Sequence, residues 1–228
     1  MNVKEFFSKY LKIFIFAGVF ILFLVTDIVT KQAIVKYFAS HNESIVLLGS
    51  KAKPFLQISY SINTNAAFGF GLDNPVANRV IYSVIAFIGF GLIVGFFVWK
   101  FKSLNILVTV CLALIAVGAI GNLIDRLFYS ASFLHSLENG VVDWIDFVGV
   151  WPFIFNIADS CVVIGTIMLI VYLIVDEVKA AKAKRKEEVK ENNGKVLSKE
   201  EQSRLEEKPI EVEPIEEDSS NTEQPKEE

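Results

Sequence analysis

Residues 104–124 read LNILVTVCLALIAVGAIGNLI, and Asp125 and Arg126 follow directly. No charged residue lies between Lys102 and Asp125. The hydrocarbon core of a bilayer is about 30 Å thick and is crossed by about 20 helical residues at a rise of about 1.5 Å each. This stretch therefore predicts a membrane-spanning helix. Three further stretches meet the same test, and the four predicted spans are residues 13–29, 80–99, 104–124 and 153–175.

The overall composition agrees with a membrane protein. Of the 228 residues, 53% are hydrophobic and 20 are Phe, and the mean hydropathy is +0.46. Soluble domains average about 45–50% apolar residues, so a soluble globule is disfavoured. Cys111 and Cys161 lie inside apolar runs, and two thiols cannot form a disulfide framework. The predicted fold class is an all-α membrane protein built as a four-helix transmembrane bundle.

Charge divides the chain into two predicted parts. Residues 1–175 contain 11 Lys or Arg and 9 Asp or Glu, whereas residues 176–228 contain 11 and 17. The second part has no aromatic residue, so it lacks the apolar surface needed to order itself. We predict a membrane domain at 1–175 and a charged, disordered cytoplasmic tail at 176–228. Alternatively, residues 179–190 could extend the fourth helix and lie against anionic lipid.

The flanking charges predict the orientation. Four spans place both termini on one side, and short cytoplasmic loops carry an excess of Lys and Arg. If the termini are cytoplasmic, ten basic residues lie on that side: Lys4, Lys9, Lys12, Lys100, Lys102, Lys179, Lys182, Lys184, Arg185 and Lys186. We therefore expect a multi-pass protein with both termini in the cytoplasm.

The first predicted outer loop contains a strand pattern. Leu56, Ile58, Tyr60 and Ile62 alternate with polar residues, as in a half-buried strand. A small extracytoplasmic β-sheet is therefore expected. Residues 66–71 read AAFGFG and have little helical or strand period, which favours close approach of a backbone or acyl chain.

Charged residues in the spans are functional candidates, because each costs about 2.5–3.5 kcal/mol to insert at a helix centre. Asp159 lies about two turns into the fourth span, at 1.5 Å per residue. Asp27 lies near the end of the first span, and Asp125 and Arg126 close the third. All of these ends face the same side of the membrane.

Paired carboxylates are the chemistry that these residues suggest. Residues 141–147 read VVDWIDF, so Asp143 or Asp146 could reach the depth of Asp159. Two carboxyls a few ångströms apart share a proton, so one can accept a proton from water while the other donates to a carbonyl or leaving amine. Such a pair hydrolyses a peptide bond without metal or covalent intermediate. Spacing alone does not choose among Asp125, Asp143 and Asp146.

Structural interpretations stand beside the functional one. Asp125 and Arg126 could form an ion pair at a helix end, and Asp27 and Lys31 could form an i,i+4 ion pair. Asn122 and Asn156 could make hydrogen bonds between helices.

Other chemistries have little support. His41 and His135 are the only histidines, and neither has Cys or His at ligand spacing, so we expect no metal. A Ser-His-Asp triad would need one of them. Neither a phosphate-binding glycine loop nor a basic aromatic face is present, so we expect no cofactor and no nucleic-acid partner.

Two functions of other classes compete with a peptidase. Intramembrane carboxylates also serve proton- or ion-coupled transporters, although those usually place polar groups near the midplane in repeated halves. A non-enzymatic membrane scaffold would tolerate replacement of Asp159 by Asn.

Five pieces of sequence resemble the lipoprotein signal peptidase family, also called signal peptidase II. In chain order they are Asp27-x-x-x-Lys31, NTNAAFG at 63–69, Gly121-Asn122-x-x-Asp125-Arg126, VVDWIDF at 141–147, and Phe155-Asn156-x-Ala158-Asp159-Ser160. Together they cover residues 13–175 in register with the four spans.

The resemblance implies a membrane endopeptidase of the bacterial cytoplasmic membrane, with its active site near the outer face. Its substrate would be a diacylglyceryl-modified prolipoprotein, cut on the N-terminal side of the lipidated Cys, with membrane lipids as further partners and a monomer as the expected state. The implied catalytic pair is Asp143 and Asp159. The implied substrate-binding or supporting residues are Asp27, Lys31, Asn63, Asn122, Asp125, Arg126 and Asn156.

The chain departs from the family pattern in three places. Ile28 stands where the family usually has Gln, and Asn65 stands where it usually has Gly. Residues 127–139 form a longer connection than usual before the VVD piece. We expect the outer loop to turn differently here.

Overall fold

A computed structural model describes residues 3–65, 71–129 and 140–206. Several sequence-based predictions therefore fall outside the described residues. They concern residues 66–70 of the AAFGFG segment, most of the 127–139 connection including His135, and the tail from residue 207 onward.

Within the described ranges, four helices are long and apolar enough to cross a membrane. They are α1 (Val3–Phe38), α2 (Pro75–Lys100), α3 (Ile106–Ile124) and α4 (Ile157–Glu206). A π-helical turn, Asp125–Tyr129, continues α3. The predicted helical membrane fold is confirmed.

Helix α3 is the centre of the bundle. It packs against α1 and α2, and eleven of its residues are buried. Glycines let α4 approach it closely: a Cβ at Gly118 would overlap Val162, and a Cβ at Gly121 would lie 2.8 Å from the Cβ of Ala158. Small residues commonly take this place between membrane helices, because they permit backbone contact.

A four-stranded antiparallel sheet joins the bundle at one end. Its strands are β1 (Ile45–Ser50), β2 (Lys53–Asn63), β3 (Val141–Asp146) and β4 (Ile154–Phe155), in that order. The predicted strand at 56–63 is confirmed as part of β2. Because β1 and β2 follow α1 and β3 and β4 precede α4, the sheet lies where α1 and α3 end and α2 and α4 begin.

Helix α4 begins later than predicted. The expected span started at residue 153, but Ile154 and Phe155 pair with Asp146 and Ile145 of β3. Asn156 then caps the helix, since its Oδ1 accepts a hydrogen bond of 2.8 Å from Asp159 N. The prediction was wrong by four residues, because an apolar run in a strand is indistinguishable by hydropathy from the first turn of a helix.

Helix α4 continues beyond the predicted span. Residues 176–206 are helical, and the described side chains of residues 173–192 are exposed. The helix continues through residues 179–190, as the alternative expected, whereas contact of this segment with anionic lipid stays a prediction. Ala, Lys, Glu and Arg dominate the segment, and these residues favour a helix without tertiary packing. Contacts group the chain into two units, Met1–Val175 and Asp176–Glu228, and the site described below belongs to the first.

Candidate active site

Asp143 projects from strand β3 and is 2% exposed. Its Oδ1 accepts a hydrogen bond of 2.7 Å from Asn156 Nδ2, and its Oδ2 accepts one of 3.1 Å from Asn63 Nδ2. Asn63 lies on the neighbouring strand β2, two residues beyond Ser61, which is the register partner of Asp143. The pairing of β2 with β3 therefore supplies one donor to this carboxyl, and the start of α4 supplies the other.

Asp159 occupies the first turn of α4. Its Oδ2 accepts a hydrogen bond of 3.3 Å from Asn156 N, and Asn156 Oδ1 accepts one of 2.8 Å from Asp159 N. This reciprocal pair is a capping box with Asp in the acidic position. The Oδ1 atom of Asp159 accepts a further hydrogen bond of 2.7 Å from Asn122 Nδ2 on α3. Local capping and the α3–α4 contact thus set the direction of this carboxyl.

Asn156 connects the two carboxyls. Its Nδ2 donates to Asp143 Oδ1 at 2.7 Å and to Asn122 Oδ1 at 3.1 Å, while its backbone N–H donates to Asp159. The side chain is fully buried. The interhelical hydrogen bonding expected of Asn122 and Asn156 is therefore present, and it surrounds both aspartates.

Asp143 and Asp159 line one cavity of about 310 Å³. Asn63, Asn122 and Arg126 also line it, and they supply amides and one cation. The remaining wall is mostly apolar or aromatic and consists of Tyr82, Ile85, Ala86, Gly118, Ala119, Val141, Phe153, Ile154, Phe155, Val162 and Val163. The cavity can therefore hold an apolar chain beside two carboxyls.

The environment of Asp143 favours its protonated form. Burial, and then the negative charge of Asp159, raise the pKa of Asp143 from 3.8 to about 7. The hydrogen bonds from Asn63 and Asn156 and the charge of Lys31 oppose this rise but do not cancel it. A carboxyl that is half protonated near neutral pH can donate or accept a proton during a reaction.

Lys31, which does not line the cavity, joins two acidic residues. Its Nζ lies 2.8 Å from Asp27 Oδ2, 2.9 Å from Asp125 Oδ2 and 3.2 Å from Asn122 Oδ1. The charged side chains are 0–2% exposed. The expected i,i+4 pair of Asp27 with Lys31 is present, and Asp125 pairs with Lys31 as well.

The same two carboxylates hold the backbone beside each cavity aspartate. Asp27 Oδ1 accepts a hydrogen bond of 2.9 Å from Ala158 N, which directly precedes Asp159. Asp125 Oδ2 accepts one of 3.1 Å from Val142 N, which directly precedes Asp143. Asp27, Lys31 and Asp125 do not line the cavity, so they support it through these contacts with the backbone.

Arg126 reaches the cavity wall from the π-helical turn. Its Nη1 donates to Asn122 O at 3.3 Å and its Nη2 donates to Asn65 O at 3.2 Å. The guanidinium carbon lies 5.6 Å from the ring centroid of Tyr82. The backbone of the same turn is held by Arg79, whose Nε donates to Arg126 O at 2.5 Å.

Asp146 lies apart from the cavity. Its Oδ2 accepts hydrogen bonds of 2.7 Å from Gln57 Nε2 and 2.9 Å from Ser59 Oγ, both on β2. Of the candidates that spacing left open, Asp143 therefore shares a cavity with Asp159, whereas Asp125 pairs with Lys31 and Asp146 belongs to the sheet.

Two residues around the site were not predicted from the sequence. Asn78 is 1% exposed and donates to Asn65 Oδ1, while Arg79 holds the turn after α3. Their sequence signal was weak because both lie at the polar start of α2, where solvated residues are ordinary. Across residues 3–65, 71–129 and 140–206, no group of three or more His, Cys, Asp or Glu side chains could hold a metal ion.

Four apolar helices and a buried acidic cavity define an integral membrane protein with the groups for acid–base chemistry. Residues 19–175 match the family described as Signal peptidase (SPase) II, and the chain belongs to this family of peptidases. Its peptidase character decides against the transporter and scaffold interpretations.

Curated relatives and solved structures agree with this assignment. The chain is 35% identical over 157 residues to a lipoprotein signal peptidase of Fusobacterium nucleatum, covering 69% of this chain and 84% of the relative. It is 32% identical over 180 residues to one of Borrelia turicatae, covering 75% and 94%. A solved structure of a bacterial membrane enzyme, obtained by the in meso method at 2.3 Å, is similar with a TM-score of 0.56 and 29% identity, covering 71% of this chain and 88% of that chain.

Proposed function

We propose that this protein removes the signal peptide from diacylglyceryl-modified prolipoproteins, cutting on the N-terminal side of the lipidated Cys. Family membership and relatives called lipoprotein signal peptidase support the substrate class. The observation that carries the mechanism is that Asp143 and Asp159 enter one cavity and are joined through Asn156. In this proposal the two aspartates are the catalytic dyad of an aspartic endopeptidase.

The dyad carries one proton at neutral pH. We assign it to Asp143, because burial and the neighbouring charge raise the pKa of that carboxyl to about 7. Asp159 is the partner that accepts the proton from water, since it lies at the N-terminus of α4 and accepts hydrogen bonds from Asn122 and Asn156. Helix N-termini and N–H donors stabilise negative charge.

Hydrolysis then proceeds through a water molecule held between the two carboxyls. Asp159 accepts a proton from this water as its oxygen bonds to the scissile carbonyl carbon, and Asp143 donates its proton to the carbonyl oxygen. In the resulting gem-diol the C–N bond breaks. The amine nitrogen takes the proton held by Asp159, and one diol hydroxyl returns a proton to Asp143 as the carboxylic acid product forms. The dyad ends in its starting state.

The rest of the cavity fits an acylated substrate. Its apolar wall, which includes Ile85, Val162 and Val163, suits an acyl chain or an apolar signal peptide. Arg126 offers a cation to a phosphate or a polarised carbonyl. Asn63 and Asn122 hold the dyad and border the same space.

The orientation remains part of the proposal. The dyad lies at the end of the bundle that carries the sheet. At the second end α1 begins and α2 has ended, and there Lys12 donates a hydrogen bond of 2.8 Å to Lys102 O. Because most flanking Lys and Arg residues belong to that second end, we propose that it faces the cytoplasm, with both termini. The dyad then lies near the outer face, and the protein acts as a monomer. A reporter fused after Glu228 should be active inside the cell only, and activity outside alone would reverse the orientation.

A processing assay tests the dyad. Full-length protein in proteoliposomes receives one purified acylated precursor, and release of the signal peptide is followed for wild type, Asp143→Asn and Asp159→Asn. Each variant should lose at least about a thousandfold in rate, because neither proton transfer has a substitute. Asp146→Asn is the matched control, since it changes a carboxyl on the same strand that hydrogen-bonds within the sheet. Near wild-type rates for both dyad variants would refute the mechanism.

A further inference from the structure

Outside the dyad region, Asn78 is a buried amide of the described residues that makes three hydrogen bonds. It lies in the first turns of α2 and is 1% exposed. Its Oδ1 accepts a hydrogen bond of 2.8 Å from Leu72 N, and its Nδ2 donates to Leu72 O at 2.9 Å and to Asn65 Oδ1 at 2.9 Å. One side chain therefore ties the start of α2 to the chain on both sides of residues 66–71.

Asn65 is hydrogen-bonded in turn to two residues that line the cavity. Its backbone N–H donates to Asn63 Oδ1 at 2.9 Å, and its carbonyl accepts a hydrogen bond of 3.2 Å from Arg126 Nη2. Asn63 Nδ2 in turn donates to Asp143 Oδ2 at 3.1 Å. Because Asn63 Oδ1 is occupied by Asn65 N–H, the amide is turned with its Nδ2 toward the carboxyl.

Gly71 shows how closely these side chains fit. A Cβ added at Gly71 would overlap Asn65 Oδ1 and lie 2.8 Å from Asn78 Nδ2. Neither Asn65 nor Asn78 lines the cavity, so neither is placed to touch a substrate.

We propose that Asn78 and Asn65 form a staple that positions Asn63 and Arg126 in the cavity, which makes Asn78 a positioning residue for the hydrolysis. This inference rests on the proposed function, because it assigns Asn63 and Arg126 to the environment of the dyad. The staple acts through geometry: it holds the donor of Asp143 and the cavity cation in place, and it takes no part in proton transfer.

The principal test compares Asn78→Ala with Asn74→Ala in full-length protein in proteoliposomes, using the acylated precursor. Asn74 is a matched control, because it lies four residues earlier and caps the same helix by accepting hydrogen bonds from Val76 N and Ala77 N at 3.0 and 3.1 Å. Asn78→Ala should lower kcat about tenfold with KM changed less than about twofold, since small misplacement of a catalytic environment has large effects on rate. Asn74→Ala should preserve kcat per folded enzyme.

The pH–rate profile separates positioning from simple destabilisation. The Asn63 hydrogen bond lowers the pKa of Asp143, so loosening Asn63 should move the alkaline limb of the profile upward by about half a pH unit or more. Asn74→Ala should leave this limb unchanged. If Asn78→Ala has wild-type kcat per folded enzyme, or loses kcat without a shift of the limb, the staple is refuted.

A second variant keeps the test valid if Asn78→Ala folds poorly. Asn65→Gly removes the acceptor of Asn78 and leaves the backbone contacts of residue 65 possible. It should show the same shift of the limb, and the double variant Asn65→Gly/Asn78→Ala should be no worse than the more affected single variant, because both break one connection. Additive losses of kcat would contradict the proposal.

Asp143→Asn and Asp159→Asn are assayed in parallel. If both remain active, the proposed function itself fails. If both are inactive while Asn78→Ala and Asn65→Gly behave as wild type, the proposed function stands and only the staple is overturned.

Discussion

Replacement of Lys31 by Met should strongly destabilise the protein. Met has a similar length, so the packing volume is retained while the charge is lost. The Nζ atom lies 2.8 Å from Asp27 Oδ2 and 2.9 Å from Asp125 Oδ2, and the three side chains are 0–2% exposed. Removing one member of a buried ion pair leaves uncompensated charge and costs about 3–5 kcal/mol, which for a chain of this size lowers Tm by about 6–20 °C.

Thermal unfolding in detergent at pH 7 measures the effect. Lys51→Met is the control, because Lys51 pairs with Glu43 at 3.6 Å with both side chains about 90% exposed, and such pairs contribute little. The triple variant Asp27→Asn/Lys31→Met/Asp125→Asn should recover much of the loss, since it removes the unpaired charges while amide oxygens can still accept from Ala158 and Val142. A Tm for Lys31→Met within about 2 °C of wild type, or a triple variant less stable than the single one, would refute this account of the cluster.

Four further predictions concern pH, helix packing and the end of the chain. Asp143 is protonated below its raised pKa of about 7, so kcat/KM should fall about tenfold per pH unit above that value, and a flat alkaline limb would contradict its assignment as the acid. The raised pKa also means that Asp143 costs folding stability as pH rises from 3.8 to about 7, so Asp143→Asn should raise Tm at pH 8 more than at pH 4. Gly118→Val should lower stability by about 1–3 kcal/mol through overlap with Val162, whereas Gly89→Ala, which meets no atom within 4 Å, should not. Truncation after Asn192 should leave precursor processing unchanged, because the cavity is lined by residues 63–163, and a large loss of rate would assign the tail a catalytic part.

Local sequence determined the membrane-spanning helices and one strand. A helix that crosses lipid needs about 20 apolar residues in succession, and a half-buried strand needs alternation, so both signals are contained in short windows. The Asp27–Lys31 pair belongs to the same category, because residues four apart meet on any helix. Hydropathy failed at the start of α4, where the apolar residues Ile154 and Phe155 extend a sheet.

Tertiary structure decided which carboxyls meet. Asp143 and Asp146 differ by three positions, so a regular strand points them to opposite faces, but which face meets the bundle depends on the pairing of β3 with β2. That pairing brings Asn63 to Asp143 and Gln57 to Asp146. The capping of α4 by Asn156 then turns Asp159 toward the same cavity. Sequence by itself therefore determined the spans and supplied the acidic residues, whereas contacts between residues 37 to 131 positions apart, which no local window contains, determined which two of them share a site.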